Sequence, residues 1–186
     1  MFVVSSDVSC RVAWAADAEA MAAVQVAAWR VQYADVLPAA LLEQMTPEAV
    51  SEAWRATLAR PADARNRALV ALEHDTIRGY VLTGPATDPD LDPIACGAVS
   101  DLTVVPGSTR HGHGSRLLQA AVDTLRADRF ERAVVWTNST DDDLRAFFTA
   151  AGFGADGAHR TLDLTGDGSV LVKQVRLHAA IGDEPA

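Results

Sequence analysis

Hydrophobic and polar positions alternate along this chain with two periods, which together predict a succession of strands and helices. The elements predicted in the N-terminal half are a strand over 10–14, helices over 17–33, 38–45 and 46–58, and a hairpin of two strands over 68–73 and 76–82. Asp17 is the predicted cap of the first helix. The spacing of Met21, Val24, Ala28 and Val31 predicts that these residues form its buried face.

The C-terminal half continues with the same two periods. The elements predicted there are a strand over 98–105, a helix over 112–126, a strand over 132–137, a helix over 141–151, and a hairpin of strands over 161–164 and 170–177. Gly152 ends the last helix as its C′ residue. We expect a single domain over residues 10–178 and a frayed tail over 179–186.

Composition narrows the class of protein. A chain of 186 residues with 49% hydrophobic and 22% charged residues is typical of a globular domain with a real core. Its net charge of −9 argues against a nucleic-acid partner, since phosphate binding depends on basic patches. The N-terminus has no signal-peptide pattern, and no apolar run is long enough to span a membrane. With only Cys10 and Cys96, the chain fits a reducing cytoplasm.

One segment, residues 104–118, carries the clearest chemical signal. It passes from a β-rich stretch through a glycine turn into an amphipathic helix, which directs backbone N–H groups and the helix dipole at one point. Such a point stabilises a phosphate. Two familiar phosphate loops are excluded: a P-loop requires Lys where His113 stands, and a dinucleotide loop requires glycine where Leu117 stands.

This segment resembles the pyrophosphate loop of the GNAT superfamily, the acetyl-CoA-dependent N-acetyltransferases. The family pattern Gln/Arg-x-x-Gly-x-Gly/Ala falls on residues 109–114, after a strand that ends at Pro106, although Thr109 stands at the first position and the basic residue is Arg110. A second family pattern, Asn-x-x-Ala-x-x-Leu-Tyr-x-x-x-Gly-Phe, matches in spacing at Asp141, Leu144, Phe147, Phe148, Gly152 and Phe153. The order of the predicted elements is also that of the family.

The resemblance implies an α/β (α+β) fold with a mixed, mostly antiparallel sheet of about seven strands flanked by four to five helices. It implies acetyl-CoA as cosubstrate and no metal. In the family, backbone N–H groups polarise the thioester where the fourth and fifth strands splay apart, here around Val104 and Val105. The residues that the resemblance assigns to cofactor binding are Thr103, Val104, Val105, Thr109, Arg110, His111, Gly112, His113, Gly114, Ser115, Asp141 and Phe148.

The side chains that move protons in the family are missing here. Phe148 stands where the family has its tyrosine acid, and Ala98 stands where some relatives have a glutamate base. Ser100 shares a strand face with Ala98, whereas Asp101 lies on the opposite face unless a bulge changes the parity. Ser100 and Asp101 are therefore the candidate catalytic residues.

Several other residues have two interpretations. Trp29 and Tyr33 form the wall of an acceptor pocket or pack in the core. His111 and His113 resemble a metal pair without further ligands nearby, so we expect their backbone amides to matter more. The aspartates of the loop over 85–93 attract a cationic amine or only solvate a flexible loop; they are Asp88, Asp90 and Asp92.

Two functions remain open. The chain is an N-acetyltransferase that acetylates a primary amine of a small molecule, or it is a GNAT-fold acyl-CoA-binding module with little or no turnover. Both imply no nucleic-acid or membrane partner, and both fit a monomer or a homodimer.

Overall fold

The apolar patterns fold into one seven-stranded sheet in the order β1-β2-β3-β4-β5-β7-β6, seen in a computed structural model that describes residues 8–182. The strands are β1 Val8–Val12, β2 Arg67–Glu73, β3 Thr76–Pro85, β4 Cys96–Val104, β5 Arg132–Asn138, β6 Gly154–Asp163 and β7 Leu171–Ala180. The helices are α1 Ala18–Gln32, α2 Ala39–Gln44, α3 Pro47–Ala59, α4 His113–Ala127 and α5 Asp142–Ala150, and a 3₁₀ turn over Ala15–Asp17 precedes α1. Among residues 8–182, no helix is long and apolar enough to cross a membrane.

One strand pair differs from the others in direction. β4 and β5 run parallel, whereas the other neighbouring strands are antiparallel. The predicted mixed and mostly antiparallel sheet is therefore confirmed. The parallel pairing joins only Cys96–Ala98 of β4 to Arg132–Val134 of β5, and beyond these residues the two strands have no paired positions. The sheet thus opens between β4 and β5 toward their C-terminal ends.

Each face of the sheet packs against its own helices. Alternation along β2 and β3 sends Val81 toward α4 and α5, and sends Val70 and Tyr80 toward α1 and α3. Leu117 and Leu125 of α4 fill the first core, whose members are all buried. The two helical layers therefore cover the two faces of the sheet, and the opening between β4 and β5 lies in its interior.

The structure corrects three predictions near the ends of elements. Asp17 stands at the N-cap position of α1, but its side chain makes no capping hydrogen bond to the helix. Its carboxylate instead accepts the N–H of Trp14 at 2.7 Å and pairs with Arg11, so it fixes the turn before the helix. Val31 is 67% exposed, so it does not belong to the buried face of α1. β6 begins at Gly154, well before the predicted start, because an exposed edge strand lacks the alternation that the prediction requires.

The predicted frayed tail is also wrong over its first residues. Ala179 and Ala180 belong to β7 and pair with β5. Ile181 is buried, and its N–H donates to the carbonyl of Glu131 at 2.8 Å. Residues 183–186 lie outside the described residues.

Candidate functional site

A β-bulge interrupts β4 at the point where the sheet opens. Tyr80 of β3 pairs with Thr103 and Leu82 pairs with Ser100, so two residues of β4 lie opposite one residue of β3. The first of the two, Asp101, has a left-handed backbone with φ of 49°. A non-glycine residue adopts this conformation at an energetic cost, and such strain concentrates at functional sites.

The bulge reverses the alternation of side chains along β4. Before it, Val99 packs in the core with α4; after it, Leu102 and Val104 pack against that same core. Asp101 therefore lies on the same side of the sheet as Ser100, and both line one cavity together with Ala98. The sequence predicts Asp101 on the same face as Ser100 only if a bulge changes the alternation of side chains along the strand, and the structure contains that bulge.

This cavity, which we call the bulge cavity, has a volume of about 820 Å³. The polar and aromatic residues that line it include Tyr33, Arg60, Asn66, Asp88, Ser100, Asp101, Trp136, Arg160 and Gln174. Asp101 is exposed to the cavity, yet the surrounding protein removes enough water to raise the pKa of its carboxyl above the usual value. A carboxylate in such a setting is a stronger base than one in free water.

Tyr33 reaches the bulge cavity from the C-terminal end of α1, as the pocket interpretation predicts. Burial raises the pKa of its hydroxyl, and the negative charge of Asp101 raises it further, so Tyr33 stays protonated. Trp29 packs edge-on against the Tyr33 ring with 6.1 Å between centroids. Trp29 therefore supports the wall of the cavity through Tyr33.

A second cavity, the loop groove, lies at the start of α4 and has a volume of about 320 Å³. It is lined by Leu102, Val104, Thr109, Arg110, Gly112, Gly114, Ser115, Leu144 and Phe147. Gly112 is the N-cap of α4 with φ of 84°, and Arg110 has φ of 64°. These left-handed residues turn the chain so that the free N–H groups at the helix start border the groove.

The structure brings six of the predicted cofactor residues to the loop groove: Val104, Thr109, Arg110, Gly112, Gly114 and Ser115. The side chains of Thr103 and Val105 lie on the opposite face of the sheet from that of Val104, so they do not line the loop groove. The N–H of Val105 donates to the Arg78 carbonyl at 2.8 Å, so it cannot polarise a substrate. Asp141 lines a separate cavity and caps α5, accepting the N–H of Leu144 at 3.0 Å.

The two histidines of the loop differ in their surroundings. His111 is exposed, whereas His113 is buried and burial lowers its pKa, which keeps the ring neutral. Neither ring nitrogen of His113 has a hydrogen-bond partner within residues 8–182. The part of the chain that the structure describes contains no cluster of three or more His, Cys, Asp or Glu residues suited to a metal.

Phe148 does not face the loop groove, contrary to the prediction. It is fully buried in the core with α4, 5.5 Å from the ring of Phe153. The preceding residue, Phe147, lines the groove instead, together with Leu102 and Leu144. The sequence prediction missed these three, although Leu102 lies two residues from Val104 and shares its strand face.

The acidic loop before β4 is occupied by internal contacts. Arg176 of β7 is only 5% exposed and binds Asp90 at 2.6 Å and Asp156 at 2.6 Å, with Asp88 at 3.6 Å. Asp88 also accepts the indole N–H of Trp136 at 2.9 Å. Asp92 accepts the N–H of Ile94 at 2.8 Å. The aspartates of this loop are therefore engaged within the protein and are not free to attract a cationic amine. They also do more than solvate a flexible loop, because two of them bind a buried arginine.

Comparisons with known proteins agree with this geometry. Residues 28–153 match the model of the acetyltransferase (GNAT) family. No curated protein sequence matches the chain. Among solved structures, it is similar to the PaiA N-acetyltransferase of Thermoplasma acidophilum in complex with coenzyme A, at 16% identity and a TM-score of 0.69, covering 90% of this chain and 98% of that one.

Two further structures show the same likeness. The yncA protein of Salmonella typhimurium with its cofactor acetyl-CoA has 17% identity, a TM-score of 0.67 and coverage of 96% of both chains. An N-acetyltransferase of Staphylococcus aureus Mu50 has 15% identity, a TM-score of 0.68 and coverage of 95% of this chain and 99% of that one. At these identities the likeness establishes the fold alone.

Proposed function

Since the chain belongs to the acetyltransferase (GNAT) family, we propose that it transfers the acetyl group of acetyl-CoA to a primary amine of a small molecule, with Asp101 as the general base. The observation that carries this proposal is the bulge in β4, which puts a carboxylate of raised pKa in a cavity on one face of the strand while the loop groove lies on the other. The opening between β4 and β5 lies between the two.

The loop groove fits the phosphates of the cosubstrate. Gly112 takes a φ of 84° at the start of α4, and a Cβ built at Gly114 would lie no closer than 3.7 Å to its neighbours. Backbone therefore borders the groove at Gly112 and Gly114, where a phosphate accepts N–H groups and gains from the helix dipole. Arg110 adds a positive charge at the groove wall.

Acetyl-CoA supplies an activated acetyl thioester, whose carbonyl requires a hydrogen-bond donor. Successive N–H groups along a strand point to opposite sides, and the N–H of Val105 points to β3. The N–H of Val104 therefore points toward the opening beside β4, where β5 supplies no paired residue. It is positioned to polarise a carbonyl oxygen there, as in an oxyanion hole.

Attack by the amine nitrogen forms the amide bond and breaks the C–S bond, and the CoA thiolate that leaves takes a proton from water. Asp101 accepts the proton that the attacking amine must lose. Its carboxylate has no hydrogen-bond donor among the described residues, so its lone pairs are available to a substrate ammonium or to an intervening water. Burial raises the pKa of this carboxyl, which brings its basicity closer to that of a proton acceptor at neutral pH. Ser100, exposed beside it in the bulge cavity, offers a hydroxyl to hold such a water.

The test is release of the CoA thiol from acetyl-CoA across a library of primary amines, with CoA binding measured by calorimetry. We expect turnover with at least one amine and a loss of about 10²- to 10⁴-fold in kcat for Asp101→Asn. Asp75→Asn, in the exposed β2–β3 turn, is the matched control and keeps wild-type kcat. CoA binding without turnover on any amine would favour the non-catalytic module and would contradict the proposal.

A further inference from the structure

Arg160 of β6 is held in place at the wall of the bulge cavity, and its charge is not paired. The guanidinium carbon lies 4.3 Å from the centroid of the Trp136 ring, and Nε donates to Gln174 at 2.9 Å. Gln174 is itself fixed, because its amide donates to Asn138 at 3.1 Å. Stacking and the Nε bond together orient the guanidinium plane.

The terminal nitrogens of Arg160 have no acceptor among residues 8–182, and no carboxylate within that part of the chain lies in ion-pair distance. Both contacts that orient Arg160 leave this terminal edge unused. A guanidinium with that edge open binds a planar carboxylate through two parallel hydrogen bonds. The geometry is that of an anion-binding group prepared before the anion arrives.

The charges around the cavity agree with this interpretation. Asp88 is engaged by Trp136 and Arg176, and Arg67 is engaged by Asp128. Within the described residues this leaves Arg60 and Arg160 as unpaired cations and Asp101 as an unpaired anion in the lining. The cavity therefore presents one acceptor for an ammonium group and two donors for an anion.

Resting on the function proposed above, we propose that the acceptor is an amine that also bears a carboxylate, such as an amino acid, with Arg160 as its carboxylate anchor. The ammonium then meets Asp101 while the carboxylate meets the guanidinium. A simple cationic amine leaves Arg160 without a partner, so it loses a charge-assisted pair that the zwitterion makes.

The experiment compares the common α-amino acids with their carboxamides and with the corresponding α-aminophosphonates. Thiol release from acetyl-CoA gives kcat/KM, and calorimetry on the CoA-saturated protein gives the affinity for each amine. We expect kcat/KM and affinity for the preferred amino acid to exceed those for its carboxamide by about tenfold to a hundredfold, as for a hydrogen-bonded charge pair. The phosphonate also offers two oxygens to a guanidinium fork, so it is expected to bind better than the carboxamide.

Arg160→Gln is expected to reduce the ratio of carboxylate to carboxamide to within about threefold of unity, and Arg160→Lys to restore part of it. Arg132→Gln, an exposed residue of β5 with the same charge change, leaves the ratio unaltered. Equal use of the carboxylates and the carboxamides by the wild-type protein overturns the proposal. Preferential binding of carboxylates without turnover supports it while refuting the acetyltransferase function.

Discussion

At the scale of single residues, the features that suit Asp101 to its proposed role as general base also have a cost in stability. Its backbone has φ of 49°, and burial raises the pKa of its carboxyl. A carboxyl whose pKa is higher in the folded than in the unfolded state stabilises the fold at low pH, and this contribution is lost as the pH rises through the folded pKa. The ionised form required for catalysis is therefore the destabilising form.

We therefore expect Asp101→Asn to raise the melting temperature at pH 7, because a neutral amide avoids the cost of a charge that the surrounding protein partly dehydrates. The gain over wild type should shrink as the pH falls and vanish once wild-type Asp101 is protonated in both states. Thermal unfolding followed between pH 3 and 8 gives the comparison. In the same variant, the acidic limb of the kcat/KM profile is expected to disappear. A lower melting temperature at pH 7 would contradict this account.

The two adjacent phenylalanines of α5 have opposite roles. Phe148 is fully buried, whereas Phe147 is half-buried and lines the loop groove. We expect Phe148→Ala to cost about 3–5 kcal/mol of unfolding free energy. Phe147→Ala should lower CoA affinity with a smaller loss of stability. Phe148→Tyr adds a hydroxyl to an apolar core, so it should destabilise the protein by about 1–3 kcal/mol without raising turnover.

Denaturant unfolding and CoA calorimetry on the three variants measure these effects. If Phe148→Tyr instead increased kcat at unchanged stability, the side chain would have to face the reacting groups, as the family pattern implies. The core position of Phe148 would then be wrong.

At the scale of elements, the loop into α4 depends on left-handed backbone at its N-cap. A Cβ at Gly112 would meet the Arg116 guanidinium at 2.9 Å in addition to its φ of 84°. We expect Gly112→Ala to cost about 1–2 kcal/mol of stability and to weaken CoA binding by tenfold or more. Gly107, with φ of 88° and open space around it, provides the control.

Gly107→Ala carries a similar backbone cost but lies outside the loop groove, so its CoA affinity should stay near that of wild type. Equal loss of CoA affinity in both variants would show that the effect comes from backbone strain. The phosphate position at α4 would then lack support.

Much of this element structure could be predicted from the sequence. The two-residue turn at His74 and the glycine loop before α4 give strong local signals, and the structure contains both. The first part of β6, from Gly154 to Arg160, could not be predicted, because an exposed edge strand has little alternation. The bulge at Asp101 gives no compositional signal, since it depends on pairing with β3. The proposed role of Arg160 could not be predicted either, because it depends on the stacking of its guanidinium on Trp136, a contact between residues of two different strands.

At the scale of the whole molecule, Arg176 joins parts of the chain that are far apart in sequence. It connects β7 to Asp156 of β6 and to the loop that carries Asp88 and Asp90. Removal of one partner from a buried ion network leaves the others uncompensated. Asp88 also accepts the indole N–H of Trp136, and both residues line the bulge cavity. The network therefore fixes the part of the cavity wall that Asp88 and Trp136 form.

We expect Arg176→Met to destabilise the protein by about 1–3 kcal/mol at neutral pH, since Arg176 is buried but its partner Asp90 is 59% exposed and is screened by solvent. Arg55→Met is the control; it removes an exposed pair with Glu52 and should cost at most about 1 kcal/mol. The Arg176 hydrogen bond lowers the pKa of Asp90, and for Asp156 hydrogen bonds outweigh burial, so its pKa is lowered too. Stability from lowered carboxyl pKa values is lost as the pH falls through them, so the effect of Arg176→Met should diminish in acid.

The bulge in β4 also makes Asp101 a surplus residue. Val81 of β3 and Leu102 pack in the same core, and the pairs on either side of them, Tyr80 with Thr103 and Leu82 with Ser100, already match. A chain shortened by one residue, without Asp101, would thus keep each remaining side chain on its present face. We expect this deletion to fold with a regular β4, to unfold at a higher temperature, and to lose acetyl transfer. Circular dichroism melting and thiol release measure both outcomes, and failure of the shortened chain to fold would mean that the extra residue also serves the architecture.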